Sequence, residues 1–558
     1  MRFSAAILSG VATAVLAAFP LAWVGGGLHP GSAWAALLLG VMVMVLVCRV
    51  TPPSSAPQPR SFLDYFMVVV FCCASARAFF WLIYEDENFW KILSPNNLGD
   101  ISLHLSLIRW LAVAPHWWPA SPILVGDSLR YPLGSDLFNA LLLQAGLPVE
   151  RGLIWCGIVG AILTGVTLWR WGGAIALAAL LFNGGFFGVM IFSGGDPDAV
   201  AQWKNLFLTL FVTQRGFLFA LPAGLLLLAA WREETFAPEK REVLPLSVQA
   251  LLLGVTPLFS VHAALFFGVA MTGLFLIAPA SRERMIRLAL VAWPAMALLG
   301  WLVVSGGGGP PALSAIGWSP GWMSHGTLSF WFCNFGIALP LALFLCLALI
   351  RKNSSLEPLQ ILEARAFVWP AAFLFATCLL IRFAPWPWDN TKLMLWSWIV
   401  IIPYLWSLLI EPNSLPIRLL TLLLLFGSGA ASLLIGLDGR HGYELIQRSA
   451  LDEAAWTIRG VSPGEVIACA PEYNHPVLLL GHPVVCGYEG HLWSHGLDFK
   501  ERLASLNAMM NGEAGWQEMA RKLGVSYIYW SPLERNRWPD SKLPWASESA
   551  TPSLHLVK

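Results

Sequence analysis

Apolar runs of about 20 residues recur along most of this chain, and they constrain its fold more than any other feature. Each run is long enough to cross the roughly 30 Å hydrocarbon core of a bilayer as an α-helix. Hydrophobic residues make up 57% of the sequence and charged residues only 12%. The sequence therefore predicts an α-helical polytopic membrane protein. A net charge of +1 gives no indication of nucleic-acid binding through a basic surface.

Basic residues indicate the orientation of the predicted helices. Lys and Arg concentrate in cytoplasmic loops, and basic clusters lie at Arg49, Arg232, 282–287 and Arg418. With the N-terminus inside, these clusters share the cytoplasmic side if about thirteen candidate spans cross completely. We expect 172–192 to be incomplete, because "LFNGGFFG" interrupts it with three glycines and an asparagine. The candidate spans are 4–24, 33–50, 62–84, 131–147, 152–169, 172–192, 215–231, 244–260, 262–279, 286–304, 328–350, 366–384, 392–411 and 416–436.

The sequence changes character near its end and predicts two domains. Residues 1–436 hold the apolar runs, whereas polar and apolar residues alternate over 437–558. The tail has β-like runs, "EVIACA", "PVLLLG", "PVVCGY" and "VSYIYW", and helical patterns at 499–511 and 515–523. We therefore expect a small C-terminal α/β domain on the extracytoplasmic face. The outer loops predicted for the membrane domain are 85–130, 193–214, 305–327 and 385–391.

The tail contains two further features of interest. Cys469 and Cys486 could form a disulfide if the tail lies in an oxidising compartment. The stretch "GYEGHLWSHGLDFKERL", 487–503, collects acidic, histidine and tryptophan side chains. It could present a polar and aromatic surface to a cavity of the membrane domain, or it could serve only the folding of the tail.

Acidic residues gather in the first outer loop, "YEDENFWKILSPNNLGDISLH". Asp86 and Glu87 follow an apolar run directly, and Asp100 and His104 lie farther along. Asp100 and His104 are four residues apart, which places them on one face of a helix. Apolar residues at helical spacing in "DISLHLSLIRWL" predict an amphipathic helix along the membrane interface. The acids could supply a carboxylate general base tuned by the histidine, or they could only cap helices and be solvated.

A second group of acids lies in "SGGDPDAVAQWKN". A tight turn presents Asp196 and Asp198, which could hold a hard cation or contact sugar hydroxyls, or form an ordinary turn. Asp127 belongs to the polar stretch "VGDSLRYPLGSD" of the first outer loop. Arg215 lies at a predicted membrane boundary, where a guanidinium could bind a phosphate or extend to the interface.

A third group lies in "IRFAPWPWDNTKLM", between two consecutive spans. Arg382 and Lys392 would suit a lipid phosphate at headgroup level. Trp388 and Asp389 lie between these cations, although tryptophans there could belong to an aromatic belt. His262 lies near the outer end of a predicted span, where an ionisable residue is either functional or a hydrogen-bonded structural histidine.

The chain resembles the GT-C superfamily of polytopic glycosyltransferases over most of its length from about residue 60. "YEDENFW" resembles the Asp-Glu motif of protein mannosyltransferases and lipid A aminoarabinose transferases. "GDISLHLSLIRWL", "LRYPLGSDLFNALLLQAG", "LLFNGG", "QRGFLFALP" and "RFAPWPWDNTK" resemble a bacterial membrane branch, as does the tail segment from "GHPVVCGYEG" to "LGVSYIYWSPLER". Two predicted spans precede the usual first helix of that superfamily.

This resemblance implies a GT-C-like fold in a bacterial cytoplasmic (inner) membrane. It implies an inverting glycosyltransferase that moves a sugar from a polyprenyl-phosphate donor to an extracytoplasmic glycan, lipid or protein acceptor. Asp100 or Asp86 would be the general base, and we rank Asp100 first because its neighbours Gly99 and His104 form the more specific motif. Arg382 and Lys392 would bind the donor phosphate. A divalent cation is an open expectation, and the sequence implies no other cofactor.

A transporter or flippase for a lipid-linked saccharide is the alternative prediction. Such a protein would also carry outer acids, aromatic residues and phosphate-binding cations. It should, in addition, have ionisable residues near mid-membrane and internal repeats. The charged residues of this chain instead gather at the predicted outer face, which favours the enzyme.

Overall fold

The computed structural model describes most of the chain. The described residues are 1–53, 62–237, 242–308, 316–319, 328–351, 357–439, 442–547 and 551–557. Helices dominate the part up to residue 439, and the strands are short. Most of the predicted outer loop 305–327 lies outside the described residues.

The membrane part is built from long apolar helices joined by short irregular segments. Its α-helices are α1 (Arg2–Gly25), α2 (Pro30–Val50), α3 (Phe62–Phe80), α4 (Leu98–Val113), α5 (Gly134–Gln144), α6 (Val149–Leu181), α7 (Pro197–Val200), α8 (Phe217–Phe236), α9 (Leu246–Phe259), α10 (Val261–Ile277), α11 (Arg282–Ser305), α12 (Leu328–Phe335), α13 (Ala338–Ala348), α14 (Pro358–Cys378), α15 (Thr391–Leu405) and α16 (Leu415–Leu437). The π-helical segments are Phe207–Phe211 and Trp406–Ile410. The 3₁₀ segments are Pro95–Asn97, Phe187–Ser193, Pro279–Ser281 and Pro387–Asn390.

Many of these helices are suited to a bilayer. Within the described ranges, eight helical segments are long and apolar enough to cross a membrane, or nine if α12 and α13, bent by 89°, form one span. The helices α9 and α10 are shorter and apolar. The predicted multi-pass helical class is confirmed, whereas the number of about thirteen crossings stays a prediction.

Residue size separates the inner and outer faces of the bundle. Large apolar side chains such as Leu290 (73% exposed) and Leu423 (65% exposed) cover the outside, where lipid would surround them. Small residues instead bring helices together inside. A Cβ atom at Gly40 of α2 would lie 2.6 Å from the carbonyl oxygen of Gly10 in α1, so this close approach requires glycine.

Two predicted spans differ from the helices observed. The segment 131–147 forms only α5, whose 11 residues cover about 16 Å, and the prediction that it crosses is wrong. The segment 152–169 and the first part of 172–192 instead join as α6, with non-helical backbone at Gly172 and Gly173. The apolar pattern alone does not reveal this, because a short buried helix is as apolar as a span.

The interruption predicted within 172–192 is present. The helix α6 ends at Leu181, and the Asn183 side chain then satisfies two backbone groups. Its Nδ2 donates to the carbonyl of Lys204 at 2.8 Å, and its Oδ1 accepts from the N–H of Leu206 at 2.6 Å. The asparagine thus satisfies backbone groups that a broken apolar helix leaves without partners.

One end of the bundle is rich in arginine. Arg170 pairs with Glu233 at 2.7 Å, and Arg284 pairs with Glu234 at 2.7 Å. Arg232 donates to the carbonyl of Arg170 at 3.2 Å. We call this the arginine end, and we call the opposite end, which carries α4 and the residues from 437 onward, the tail end.

The tail begins with a strand that pairs with the first outer loop. The strands β1 (Tyr84–Asp86) and β2 (Phe89–Ile92) form an antiparallel hairpin, and β5 (Tyr443–Gln447) pairs antiparallel with β2. Glu87 lies at the hairpin turn with a φ of 54°. The acidic stretch after α3 is therefore a hairpin that joins the tail to the membrane domain. Another short pair consists of β3 (Gly317–Trp318) and β4 (Ile381–Arg382).

A second sheet forms the centre of the tail. Its strands are β6 (Val466–Ala468), β7 (Val525–Trp530) and β8 (Ser553–Leu556), with β6 and β7 parallel and β7 and β8 antiparallel. The tail helices are α17 (Arg448–Thr457), α18 (Pro476–Leu479), α19 (Glu489–Ser494), α20 (Lys500–Met510), α21 (Trp516–Lys522) and α22 (Pro532–Arg537). The predicted small region of strands and helices is confirmed.

Some predictions for the tail are wrong in detail. "PVLLLG" forms α18 rather than a strand, because Pro476 starts a helix that His475 caps through the N–H of Val477. "PVVCGY" forms isolated bridges and no named strand. Cys469 and Cys486 are buried free thiols, so the disulfide considered for them is not formed.

The helix α4 is buried on all sides rather than amphipathic. Its polar residues Ser102, His104 and Ser106 are as buried as its apolar ones. The Oγ atoms of Ser102 and Ser106 donate to the carbonyls of Leu98 and Ser102, at 2.9 and 2.8 Å. The predicted amphipathic character is wrong, because these local hydrogen bonds satisfy the hydroxyls and allow α4 to pack between α5 and α18. Its placement along the membrane interface stays a prediction.

Candidate functional site

A polar cavity of about 470 Å³ lies at the tail end of the bundle. Its wall includes the start of α4, the loops before α8 and α15, the break between α9 and α10, and α19 of the tail. The polar side chains that line it are Asn96, Asp100, Arg130, Tyr131, Gln202, Lys204, Thr209, Gln214, Ser260, His262, Asp389, Lys392, Ser494 and His495. We call it the polar cavity.

Asp100 presents its carboxylate to this cavity from the first turn of α4. Gln214 donates from Nε2 to Oδ1 of Asp100 at 3.3 Å. Burial raises the pKa of Asp100, while the charges of His104, Lys392 and Arg215 oppose that increase. The result is a carboxylate more basic than an exposed aspartate, which is the property of a general base.

Lys392 supplies the cation on the cavity wall nearest to α15. It pairs with Asp389 at 3.0 Å, three residues earlier in the chain. The side chain of Asn390 fixes this loop, since its Nδ2 donates to the carbonyls of Cys378 and Ile381, each at 2.7 Å. The ammonium of Lys392 is therefore held at the cavity by the folded loop and a single carboxylate.

Trp388 connects two of the predicted outer loops. Its indole Nε1 donates to the carbonyl of Gln202 at 3.0 Å, and its ring lies 5.0 Å from that of Trp386. The rings of Trp386 and Trp493 of the tail are 6.1 Å apart. The aromatic residues of 385–391 thus contact the loop 193–214 and the tail, which closes one side of the polar cavity.

His262 enters the cavity wall because the chain breaks between α9 and α10. Ser260 is extended at φ −161° and caps α10 by accepting from the N–H of Ala263 at 3.2 Å. This break turns Ser260 and His262 toward the cavity. His262 therefore lies on the polar cavity, and the choice between a functional and a structural histidine stays a prediction.

A buried pair lies behind Asp100 on the same face of α4. Nδ1 of His104 lies 2.8 Å from Oδ1 of Asp136, and the two side chains are 2% and 1% exposed. Within the described part of the chain, Nε2 of His104 and Oδ2 of Asp136 have no hydrogen-bond partner. The ring of Tyr131, which lines the polar cavity, lies 6.1 Å from that of His104. Asp136 was not among the residues predicted from sequence, because it lies within the predicted span 131–147, in the first turn of α5.

Arg215 lies close to Asp100 but does not line the polar cavity. Its Nη2 donates to the carbonyl of Val212 and to Oδ1 of Asn97 at 3.4 Å, and its Nε donates to the carbonyl of Thr213 at 3.3 Å. The guanidinium is 1% exposed. It therefore adds positive charge near Asp100 from behind the cavity wall.

Two residues of the stretch "GYEGHLWSHGLDFKERL" reach the polar cavity from the tail. Ser494 and His495 line the wall, and the ring of His495 lies 5.3 Å from that of Tyr131. Burial, with smaller contributions from the nearby His491 and Lys392, lowers the pKa of His495 to about 3. The imidazole is therefore neutral, and it can donate or accept a single hydrogen bond without changing charge.

Several predicted site residues lie elsewhere. Asp86 pairs with Lys91 at 2.7 Å on the exposed hairpin, beside Glu87. Asp127 accepts from the N–H of Ser128 at 2.8 Å and lies 3.3 Å from Arg130. These acids are not brought together with Asp100.

Arg382 belongs to β4, opposite Gly317, and does not line the polar cavity. Arg382, for which the sequence predicts a phosphate contact in a loop, is thus part of a strand pair. The phosphate role predicted for Arg382 has no support from its position, whereas Lys392 lies on the cavity wall.

Asp196 and Asp198 have structural partners. Asp196 accepts from the N–H of Asp198 at 2.9 Å. Asp198 accepts from the N–H of Asn205 at 3.2 Å and from Oγ of Ser432 at 3.1 Å, and burial raises its pKa to about 6. These contacts fix the segment from 196 to 205 against α16 and leave the adjacent Val200 to line the cavity.

The described residues do not form a metal site. Among them, no group of three or more His, Cys, Asp or Glu side chains is arranged to hold a metal ion. The divalent cation stays an open expectation, and we derive no step through one.

Fold and cavity together define a multi-pass membrane protein with a polar cavity enclosed between its tail-end loops and its tail. The solved structures similar to it include the oligosaccharyltransferase of Archaeoglobus fulgidus tethered to an acceptor peptide, with a TM-score of 0.47 and 10% identity. They also include the archaeal oligosaccharyltransferase AglB of Archaeoglobus fulgidus in complex with an inhibitory peptide and a dolichol-phosphate, with a TM-score of 0.38 and 13% identity. Each similarity covers 89% of this chain and 74% of the other. Scans against protein-family models and curated proteins return no match. Because both TM-scores are below 0.5, neither similarity indicates a function for this chain.

Proposed function

We propose that this protein is an inverting glycosyltransferase of the GT-C type that uses a polyprenyl-phosphate sugar. The observation that carries this proposal is that a half-buried carboxylate, Asp100, and a cation, Lys392, line the same polar cavity. A base and a phosphate-binding cation are the two groups that glycosyl transfer from a phosphate donor requires. The arginine end would face the cytoplasm and the polar cavity the extracytoplasmic side, following the distribution of basic residues.

Asp100 would act as the general base on the acceptor. Its carboxylate accepts the proton of the acceptor hydroxyl while that oxygen forms a bond to the anomeric carbon. Gln214, 3.3 Å away, orients the carboxylate by its hydrogen bond. The raised pKa of Asp100 increases its affinity for the transferred proton.

Lys392 would bind the phosphate that leaves. The bond between the anomeric carbon and the phosphate oxygen breaks as the acceptor bond forms, so the electron pair remains on the phosphate. A positive charge beside that oxygen stabilises the charge that develops in the transition state. Attack and departure on opposite faces of the sugar give inversion at the anomeric carbon.

An apolar groove next to the polar cavity fits the hydrocarbon chain of the donor. The groove has a volume of about 780 Å³ and lies between α10, α11 and α14. Val261 lines it at one end, and the next residue, His262, lines the polar cavity. A polyprenyl chain in this groove would place its phosphate at the cavity mouth. We call it the α10/α14 groove.

The direct test is sugar transfer by the purified protein in detergent from a radiolabelled polyprenyl-phosphate sugar, with a bacterial membrane extract as the acceptor. Asp100→Asn should lower kcat by about 10²- to 10⁴-fold, the usual range for loss of a general base. Asp86→Asn is the matched control, because it changes the same functional group on the exposed hairpin and should keep wild-type activity. Wild-type transfer by Asp100→Asn would contradict the role of Asp100 as general base, whereas no transfer by the wild-type protein would favour the flippase alternative.

A further inference from the structure

A second apolar cavity, of about 440 Å³, lies between α1, α2, α5, α6 and α8. Its volume is within the range of about 300–1,000 Å³ typical of small-molecule sites. Val41, Trp155 and Val159 line it and are exposed, so it opens outward between α2 and α6, where lipid would lie. We call it the α2/α6 cavity. It is formed in part by the two N-terminal helices, to which the proposed reaction assigns no role.

Its polar end has a buried cation. Arg215 lines the cavity and is 1% exposed. Its Nε and Nη2 atoms have acceptors, but Nη1 has no hydrogen-bond partner among the described residues. A buried guanidinium with a free donor is costly unless an anion pairs with it. The α2/α6 cavity therefore combines an apolar chamber with a buried guanidinium that has one donor without a partner.

The polar end also adjoins the polar cavity. Phe259 lines both cavities, and its ring stacks on that of Phe219 with the centroids 3.8 Å apart. Gly216, next to Arg215, lines the polar cavity as well. A headgroup at Arg215 would thus be separated from Asp100 by a thin wall of side chains.

Two apolar compartments therefore approach the polar cavity from different sides. The α10/α14 groove reaches it at Val261, and the α2/α6 cavity reaches it at Phe259. Both contacts lie at the break between α9 and α10. The hydrocarbon chain of the proposed lipid-linked donor would fill the α10/α14 groove. The α2/α6 cavity could then hold the chain of a second lipid.

We propose that the α2/α6 cavity binds the hydrocarbon part of the acceptor, which is a lipid with an anionic headgroup held at Arg215. This inference rests on the proposed glycosyltransferase function and names its acceptor class. The acceptor hydroxyl would then reach Asp100 from the side of Phe259, opposite the donor in the α10/α14 groove.

Photolabelling tests the site without requiring catalysis. The probe is dodecyl phosphate carrying a diazirine in mid-chain, and its neutral control is the corresponding dodecanol. The phosphate should label peptides of α1, α2 or α6 more strongly than the alcohol does. Val159→Trp, at the exposed rim, should reduce that labelling about tenfold, since a filled cavity displaces two or more methylenes.

The controls separate filling of the cavity from general effects. Leu423→Trp adds the same ring to an exposed apolar position on α16, outside both apolar compartments, and should leave labelling unchanged. Val41→Trp fills the cavity from the opposite rim and should act as Val159→Trp does. Arg215→Gln should reduce phosphate labelling to the level of the alcohol. Equal labelling by phosphate and alcohol, or labelling unaffected by both filling variants, would overturn the site.

A transfer assay tests the identity of the acceptor. With a total lipid extract as the acceptor pool, labelled sugar should appear in a new organic-soluble product, and Val159→Trp should raise the KM for that extract and not for the donor. A product found only in protein or water-soluble glycan would overturn the lipid acceptor. No transfer of labelled sugar by the wild-type protein to any product would instead contradict the proposed function, whatever the labelling result, so the two failures are distinguishable.

Discussion

Two acidic groups at the tail end, one on the hairpin of the first outer loop and one that includes the first turn of α5, have opposite surroundings. On the hairpin, Asp86 is 51% exposed and pairs with Lys91 at 2.7 Å. Behind the polar cavity, Asp136 is 1% exposed and pairs with His104 at 2.8 Å. The two distances are nearly equal, so distance does not distinguish the groups. Burial does, because water screens the first pair and not the second.

This difference decides which group can do chemistry. At an exposed carboxylate such as Asp86, water competes with a substrate for the hydrogen bonds of the oxygens. Asp100, next to the buried pair, has a raised pKa caused by burial and faces an enclosed cavity. The hairpin acids instead serve the strand pairing between the membrane domain and the tail.

The largest difference should appear in stability when each pair is broken. Asp136→Ala leaves Nδ1 of buried His104 without its acceptor, and we expect a loss of about 3 kcal/mol or more in the free energy of unfolding. Asp86→Ala removes an exposed pair and should cost less than about 1 kcal/mol. Thermal unfolding of the purified protein in detergent measures both. Equal shifts in the two variants would show that burial does not separate these groups.

The next difference concerns the two lysines that pair with aspartates. Lys392→Gln removes a positive charge from the polar cavity and should lower kcat/KM for the donor by about 10- to 100-fold, the value of a charge-assisted contact of about 1.5–3 kcal/mol. Lys91→Gln removes the same charge from the hairpin and should leave kcat/KM unchanged. A wild-type value for Lys392→Gln would remove the cation from the proposed phosphate site.

The sequence predicted the class of fold and several cavity residues for clear physical reasons. Long apolar runs can only be membrane helices or buried ones, and the loop of Asp389 and Lys392 stands out because positive charge on the outer side runs against the general bias of the loops. The burial of α4 could not be predicted, since Ser102 and Ser106 resemble a polar face until their backbone acceptors are known. Asp136 was missed for the related reason that α5 is as apolar as a span.

The separation of the two predicted acid clusters has a different cause. Asp86 and Asp100 are close in sequence, so their local patterns look equivalent. The pairing of β2 with β5, more than 300 residues later, is what turns Asp86 toward the tail and solvent. Long-range pairing of this kind leaves little trace in a short local pattern.

The pH dependence of kcat/KM should also distinguish Lys392 from Lys91, by a smaller effect than the change in kcat/KM itself. Because a general base must be deprotonated, the raised pKa of Asp100 places the acid limb of kcat/KM above the usual aspartate value of about 4. The charge of Lys392 lowers the pKa of Asp100, so Lys392→Gln should move the acid limb to still higher pH. Lys91→Gln should leave it in place. A shift to lower pH in Lys392→Gln would contradict the assignment of Asp100 as the base.

The smallest effect is expected where the hairpin meets the tail. Glu85 pairs with Arg448 at the start of α17, and both side chains are about half exposed. Glu85→Gln, Arg448→Gln and the double variant should each change the free energy of unfolding by less than about 1 kcal/mol, because solvent screens the pair. Transfer activity should not change in any of them. A double-mutant cycle in thermal unfolding isolates the pair. A coupling free energy of about 3 kcal/mol, as large as the loss expected for Asp136→Ala, would mean that the hairpin pair is shielded from water. Burial would then no longer distinguish the two acidic groups.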